Sequence, residues 1–319
     1  MSVVIERKHH PLLRRNYRVA TSAIESFVDL VERCLRILIP GALVYARPRM
    51  GKTHAIEYIR IHLGHTRPDV LTVQMSCEHH RVDHEGYFFS ALLAAAGAEN
   101  CVRGTLAFKR REFVRIIREQ MAAKQASVAA LFCDEAQRLS RDGYEWLRDV
   151  HDQLACHGVR LVTFLVGQPQ LLGVKAQYQM DGLEQIVARF MIEQLQFRGI
   201  ADAADAATCL SGYDLTRYPQ EGGRTFTEYF LPRAYDRGLR LEASAGALWN
   251  AFVRAHASAQ LAGKPEIQMD YFTRAVESLL IHGAHFDHPE LVIDELRWAK
   301  AVQQSGYVAA QRWVIAQPA

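Results

Sequence analysis

An α/β fold with a five-stranded parallel sheet is what this chain predicts, on three observations. Four short apolar runs, over 42–46, 70–75, 128–133 and 160–166, and a fifth strand-like stretch over 192–197 alternate with stretches of helical periodicity. The first run passes through a polar loop into Gly51-Lys52-Thr53 and then a helical pattern. The third ends in two adjacent acids, Asp134 and Glu135. Strands that alternate with helices favour a parallel sheet, because parallel neighbours need a long crossover between them.

The loop after the first strand reads Ala46-Arg47-Pro48-Arg49-Met50-Gly51-Lys52-Thr53. Strand, loop and helix follow in the order of a Walker A motif. Successive loop N–H groups and a helix N-terminus suit anionic phosphates. Gly51 lets the backbone approach closely, Lys52 reaches the β- and γ-phosphates, and the Thr53 hydroxyl ligates Mg²⁺. Arg47, Pro48, Arg49 and Met50 complete the expected nucleotide-binding loop. The template has glycine where this chain has Ala46, and a methyl there restricts the backbone. A strand-to-helix turn with a surface lysine would look alike, so a second motif has to decide.

That motif is Val128 to Cys133 followed by Asp134-Glu135-Ala136-Gln137. A buried strand places both acids at its C-terminal edge, where ligands bind in open α/β sheets. Asp134 is expected to hold Mg²⁺ through its water shell, and Glu135 to polarise the attacking water. The two motifs lie about eighty residues apart with one strand between, the arrangement of the additional-strand ATPases. A helix through Trp146, Leu147, Val150 and Leu154 leads to the fourth strand, whose tip carries Gln168. Gln168, with Thr163, is expected where a side chain holds the lytic water or the γ-phosphate. Arg189 lies just before the fifth strand, where ATPases of the kind this arrangement resembles often carry a residue that faces the neighbouring subunit's nucleotide.

The segments "ARPRMGKT", "LFCDEAQRL", "LVTFLVGQPQL" and "ARFMIEQLQF" together resemble the TniB/TnsC family of AAA+ ATPases, over about residues 20 to 200. The resemblance implies an AAA+ P-loop ATPase with a small α-helical lid. It implies a regulator of target choice in transposition that uses ATP and Mg²⁺ to oligomerise, as a ring or filament, on double-stranded DNA. The implied partners are a TniQ-like target selector and a DDE transposase. Secretion- or signalling-type AAA+ ATPases of similar appearance, acting on protein without DNA, are the alternative. A nucleotide-binding module without hydrolysis is a further alternative that Ala46 raises and Glu135 and Lys52 oppose.

The remaining chain divides around that centre. Residues 1–20 form a basic arm with Arg7, Lys8, Arg14, Arg15 and Arg18; 21–199 form the nucleotide-binding domain; 200–319 form the lid and a C-terminal segment around Trp298 and Trp313. Ser22, with Glu25 three residues on, offers a capping box for the first long helix. Lys109, Arg110 and Arg111 begin a helix in the region that faces the duplex in the resembled adaptors, and are the expected DNA-phosphate contacts. Cys77, His79, His80 and His84 invite a metal reading, but no second ligand pair completes a zinc site. No Arg stands at a sensor 2 offset near Ser244–Leu248.

Composition narrows the class. The 319 residues are 49% hydrophobic and 23% charged, an ordinary globular balance, and the net charge of +3 does not by itself announce nucleic-acid binding. No apolar run approaches the roughly 18–20 residues of a membrane span, and the N-terminus lacks the apolar core of a signal peptide. The expected location is therefore the cytoplasm, with no membrane association, and the resemblance implies a bacterial, DNA-associated protein. The six scattered cysteines read as reduced thiols.

Overall fold

The first four runs become strands because their side chains alternate between two buried faces, whereas the fifth stretch, half exposed, pairs at an edge of the sheet. The computed structural model describes residues 9–78, 84–99 and 103–315, the last four by backbone only. In chain order the elements are α1 (Pro11–Arg14), α2 (Ser22–Ile37), β1 (Gly41–Tyr45), α3 (Lys52–Thr66), β2 (Val70–Ser76), α4 (Glu85–Ala95) and α5 (Leu106–Lys124). Then come β3 (Val128–Asp134), α6 (Arg141–Cys156), β4 (Arg160–Gly167), α7 (Gln170–Met180), α8 (Glu184–Phe190) and β5 (Glu193–Gln196). After these follow α9 (Ala203–Leu215), β6 (Arg217–Tyr218), β7 (Arg224–Thr225), α10 (Phe226–Phe230) and α11 (Pro232–Asp236). The last four helices are α12 (Ala245–Ser258), α13 (Met269–Gly283), α14 (Glu295–Ser305) and α15 (Tyr307–Ile315). Arg7, Lys8, His79, His80, Cys101 and the Trp313 side chain lie outside what is described.

The chain divides into two units: 26–48 with 52–197, and 1–25 with 49–51 and 198–319. The first unit is the parallel sheet, in the order β2-β3-β4-β1-β5. The register sets Tyr45 beside Gly167 and Ser76 beside Asp134, so the tips of β1, β3 and β4 end together. Leu71, Val73, Leu131, Cys133 and Leu165 bury one face of the sheet in a core shared with residues of α4 to α8. On the other face Phe132 stacks on Phe164 at 5.0 Å, and Phe27 of α2 packs edge-on to Phe132 and Phe197. Each such ring contributes roughly 1.5–3 kcal/mol by leaving water.

The second unit is helical apart from the short β6–β7 ribbon, around a core that includes Leu210, Phe226, Leu248, Phe252, Phe272 and Trp298. Its buried Asp214 carboxylate accepts from the Thr227 hydroxyl at 2.6 Å and from the Leu241 and Glu242 N–H groups. The described part of the expected N-terminal arm is not separate but belongs to this unit. His10 is buried and stacks on Tyr229 at 4.4 Å, and the Tyr17 hydroxyl donates to Glu277 at 2.9 Å. Arg15 pairs with the same carboxylate at 3.1 Å. Burial is what lowers the pKa of His10 to about 4 and raises that of Glu277. The cap of α2 also differs from expectation. Thr21 accepts from the Ile24 N–H at 3.1 Å, while the Ser22 hydroxyl donates to Asp205.

Among the described residues no helix is long and apolar enough to cross a membrane.

Candidate nucleotide site

A buried lysine anchors the loop after β1. Lys52 is 6% exposed, and its Nζ donates to the Ala46 and Arg47 carbonyls at 3.2 Å each. Burial pushes its pKa down, against the upward pull of the Glu135 and Asp134 charges. Ala46 itself is buried, donates its N–H to the Gly167 carbonyl at 3.1 Å and has no positive φ. The residue that replaces the template glycine thus stands where the backbone demands nothing that only glycine can adopt. Positive φ falls instead on Gly51 (+96°) and on Arg49 (+66°). Among the described residues the Met50 and Gly51 N–H groups meet no acceptor. Unmet backbone amides are groups that an anion satisfies.

Arg49, Met50 and Gly51 group with the helical unit. Within that unit Arg49 Nη1 donates to Asp270 at 3.3 Å and to the Tyr271 hydroxyl at 3.2 Å, and the Asp270 N–H donates back to the Arg49 carbonyl. Arg47 and Pro48 belong to the sheet unit, where the Arg47 carbonyl serves Lys52.

The acids at the tip of β3 have distinct partners. Asp134, 5% exposed, accepts the Thr53 hydroxyl at 2.7 Å on one oxygen and the Glu135 N–H at 2.9 Å on the other. A hydroxyl and a carboxylate so placed form a donor pair suited to Mg²⁺. Glu135 lies in the left-handed region at φ +55°, opening a 3-10 turn over Ala136–Arg138. Its Oε2 accepts from Gln137 at 2.7 Å and from Gln168 at 3.4 Å, with Arg138 Nη2 3.8 Å away. The structure therefore brings Lys52, Thr53, Asp134, Glu135 and Gln168 together. Gln137 and Arg138 join them without having been singled out for a role. The Asp-Glu-Ala-Gln tetrad was the signal that could have marked Gln137.

Thr163 and Arg189 both stand away from the phosphate loop. Thr163 is fully buried in the strand, hydrogen-bonded to His151 Nε2 at 2.7 Å, and is not at the tip. Burial holds His151 neutral by lowering its pKa to about 3, with the Arg189 charge adding to it. Arg189 stands at the opposite edge of the sheet, where β1 begins. A Cβ on Gly41 would lie 2.4 Å from the Arg189 carbonyl oxygen. Its guanidinium pairs with Asp152 at 2.5 Å. The length of β1, roughly 16 Å at 3.3 Å per residue, separates that edge from the loop.

The basic run of α5 does not form one exposed face. Lys109 is 7% exposed, with Nζ on Ser90 Oγ at 2.7 Å and on the Gly86 carbonyl. Arg110 pairs with Glu85 and lies over the Phe89 ring. Arg111 alone of the three is exposed. Of Cys77, His79, His80 and His84, only Cys77 and His84 are described. His84 caps α4 by accepting from the Gly86 N–H, Cys77 is buried, and no group of three His, Cys, Asp or Glu among the described residues forms a metal site.

Residues 41–174 match the AAA domain. No curated protein matches the chain. Among solved structures, the Aeropyrum pernix ORC2 protein in its ADPNP–ADP complexes is similar at a TM-score of 0.57 and 14% identity, over 98% of this chain and 75% of that one. Its ADP form is similar at 0.52 and 15%, over 91% and 70%. Domain III of the Thermotoga maritima replication initiation protein DnaA gives 0.47 and 12%, over 91% and 95%. At such identities the two ORC2 likenesses speak for the fold. Residues 41–174 thus match the AAA domain, and the fold of the chain is similar to that of the ORC2 protein.

Proposed function

We propose that this protein is an ATP-dependent switch for assembly on duplex DNA, a regulator of transposition target choice of the TniB/TnsC kind. The observation that carries the proposal is the connected set Lys52, Thr53, Asp134, Glu135 and Gln168, in a chain whose motifs resemble that family across the same elements. Lys52 and the loop amides of 47–53 bind the phosphates. Thr53 and Asp134 would hold Mg²⁺, which supplies charge neutralisation at the phosphates. Glu135 takes a proton from the water that attacks the γ-phosphorus, and Gln168 orients that water. The bond to the β-phosphate oxygen breaks, leaving ADP and phosphate. Because ATP favours the assembled state, its hydrolysis releases subunits.

Arg189 acts across the subunit interface in this reading. Its distance from its own loop supports that role, as does its place with Arg160 in an open cavity of about 590 Å³. Arg189→Ala is expected to bind nucleotide normally yet hydrolyse it slowly. Mixed with a Lys52→Ala subunit, also inactive alone, it should recover turnover. Absence of recovery assigns Arg189 to its pairing with Asp152.

DNA contact is through phosphates, with little sequence preference. Arg111 is the exposed member of the expected trio, while Lys109 and Arg110 serve the packing of α5 on α4. A TniQ-like selector and a DDE transposase are the proposed protein partners. Electron microscopy with duplex DNA tests the reading. Rings or filaments should form with a non-hydrolysable ATP analogue and not without nucleotide, and should dissolve as salt rises. Nucleotide-dependent assembly indifferent to DNA favours the protein-directed AAA+ alternative.

A further inference from the structure

We propose that Gln137 is a positioning residue for ATP hydrolysis, tying one oxygen of the Glu135 carboxylate to the backbone at the tip of β4. The inference rests on Glu135 as the base. Gln137 Nε2 donates to Glu135 Oε2 at 2.7 Å, and Gln137 Oε1 accepts from the Gln168 N–H at 3.0 Å. The orientation of this amide is not arbitrary. A backbone N–H can only donate, so the oxygen must face Gln168 and the NH₂ must face the carboxylate. One side chain therefore joins the acid after β3 to the end of β4, thirty-one residues on.

The neighbouring backbone is shaped around this link. A Cβ on Gly167 would lie 2.3 Å from Gln137 Oε1, so only glycine admits the amide there. Ala136 is fully buried, and the Arg138 N–H donates to the Glu135 carbonyl at 3.0 Å, closing the turn that aims Gln137 back at its neighbour.

The consequence for catalysis follows from which oxygen is used. Gln137, Gln168 and Arg138 all approach Oε2. Oε1 has no hydrogen-bond partner among the described residues. One oxygen is held and the other is left to accept the proton of water. An unheld glutamate has three freely turning torsions, and fixing them in advance is part of what an oriented base contributes. Gln137 touches neither water nor nucleotide; it acts through Glu135.

The test uses Gln137→Met, of similar length without hydrogen bonds, and Gln137→Glu, which keeps the acceptor for the Gln168 N–H but loses the donor. Gln137→Asn, one methylene shorter, serves where either fails to fold by its melting curve. Each should lower kcat by roughly 10- to 100-fold, with KM and nucleotide Kd near wild type. A purely structural role changes the melting curve and lowers kcat and nucleotide affinity together, whereas lost positioning lowers kcat alone. Glu135→Gln is measured alongside. If it retains turnover, the base assignment falls and this inference with it. If it loses turnover while folded Gln137 variants keep wild-type kcat, this inference alone is overturned.

Discussion

Lys52→Ala is expected to abolish nucleotide binding and, with it, assembly on DNA. Lys52 is the only lysine in the loop and is buried against two loop carbonyls. A hydrogen bond from a charged group is worth about 1.5–3 kcal/mol, and this ammonium is assigned two phosphates, so affinity should fall by about 10²-fold or more. Arg47 and Arg49 do not replace it. The Arg47 guanidinium has no fixed partner in the motif, and that of Arg49 is engaged with Asp270 and Tyr271. The alanine leaves the Ala46 and Arg47 carbonyls short of a donor, so the melting curve is recorded beside the binding isotherm. A folded variant that assembles with ATP at the wild-type level removes this loop from the nucleotide site.

Glu135→Gln separates binding from turnover. The amide oxygen still accepts from Gln137, so the turn after β3 keeps its shape. What disappears is an oxygen able to take a proton, and loss of a general base lowers hydrolysis by roughly 10² to 10⁴. Lys52, Thr53 and Asp134 are untouched, so ATP should bind as tightly as before. Assemblies on DNA should outlast wild-type ones, since their release follows hydrolysis. Single-turnover phosphate release and filament lifetime read the two effects separately. Unchanged phosphate release moves the base to another residue.

The differing reach of local and long-range interactions explains what could be read in advance. All five strands and their order with the helices were legible, the first four because burial on both faces of a parallel strand writes a continuous apolar run, and β5, half exposed, from its place in that order. The proposed phosphate loop stood out because its residues, Gly51, Lys52 and Thr53, are neighbours in sequence. Asp134 and Glu135 stood out for the same reason. Ala46 raised a question about the loop that the sequence could not answer, since it turns on one backbone angle.

Tertiary structure decided the partners of side chains that reach across the chain. Lys109 and Arg110 look like a basic surface in sequence. Ser90 and Glu85, on the preceding helix, draw them inward. The arm looks free until Tyr17 and Arg15 meet Glu277, some 260 residues later. Gln137 is an unremarked amide until β4 ends beside β3 and supplies the Gln168 N–H. Local pattern determines which elements form, because it depends on hydrophobic period and backbone preference. Which polar groups pair is determined only when those elements pack, since a buried donor must find an acceptor wherever the fold places one.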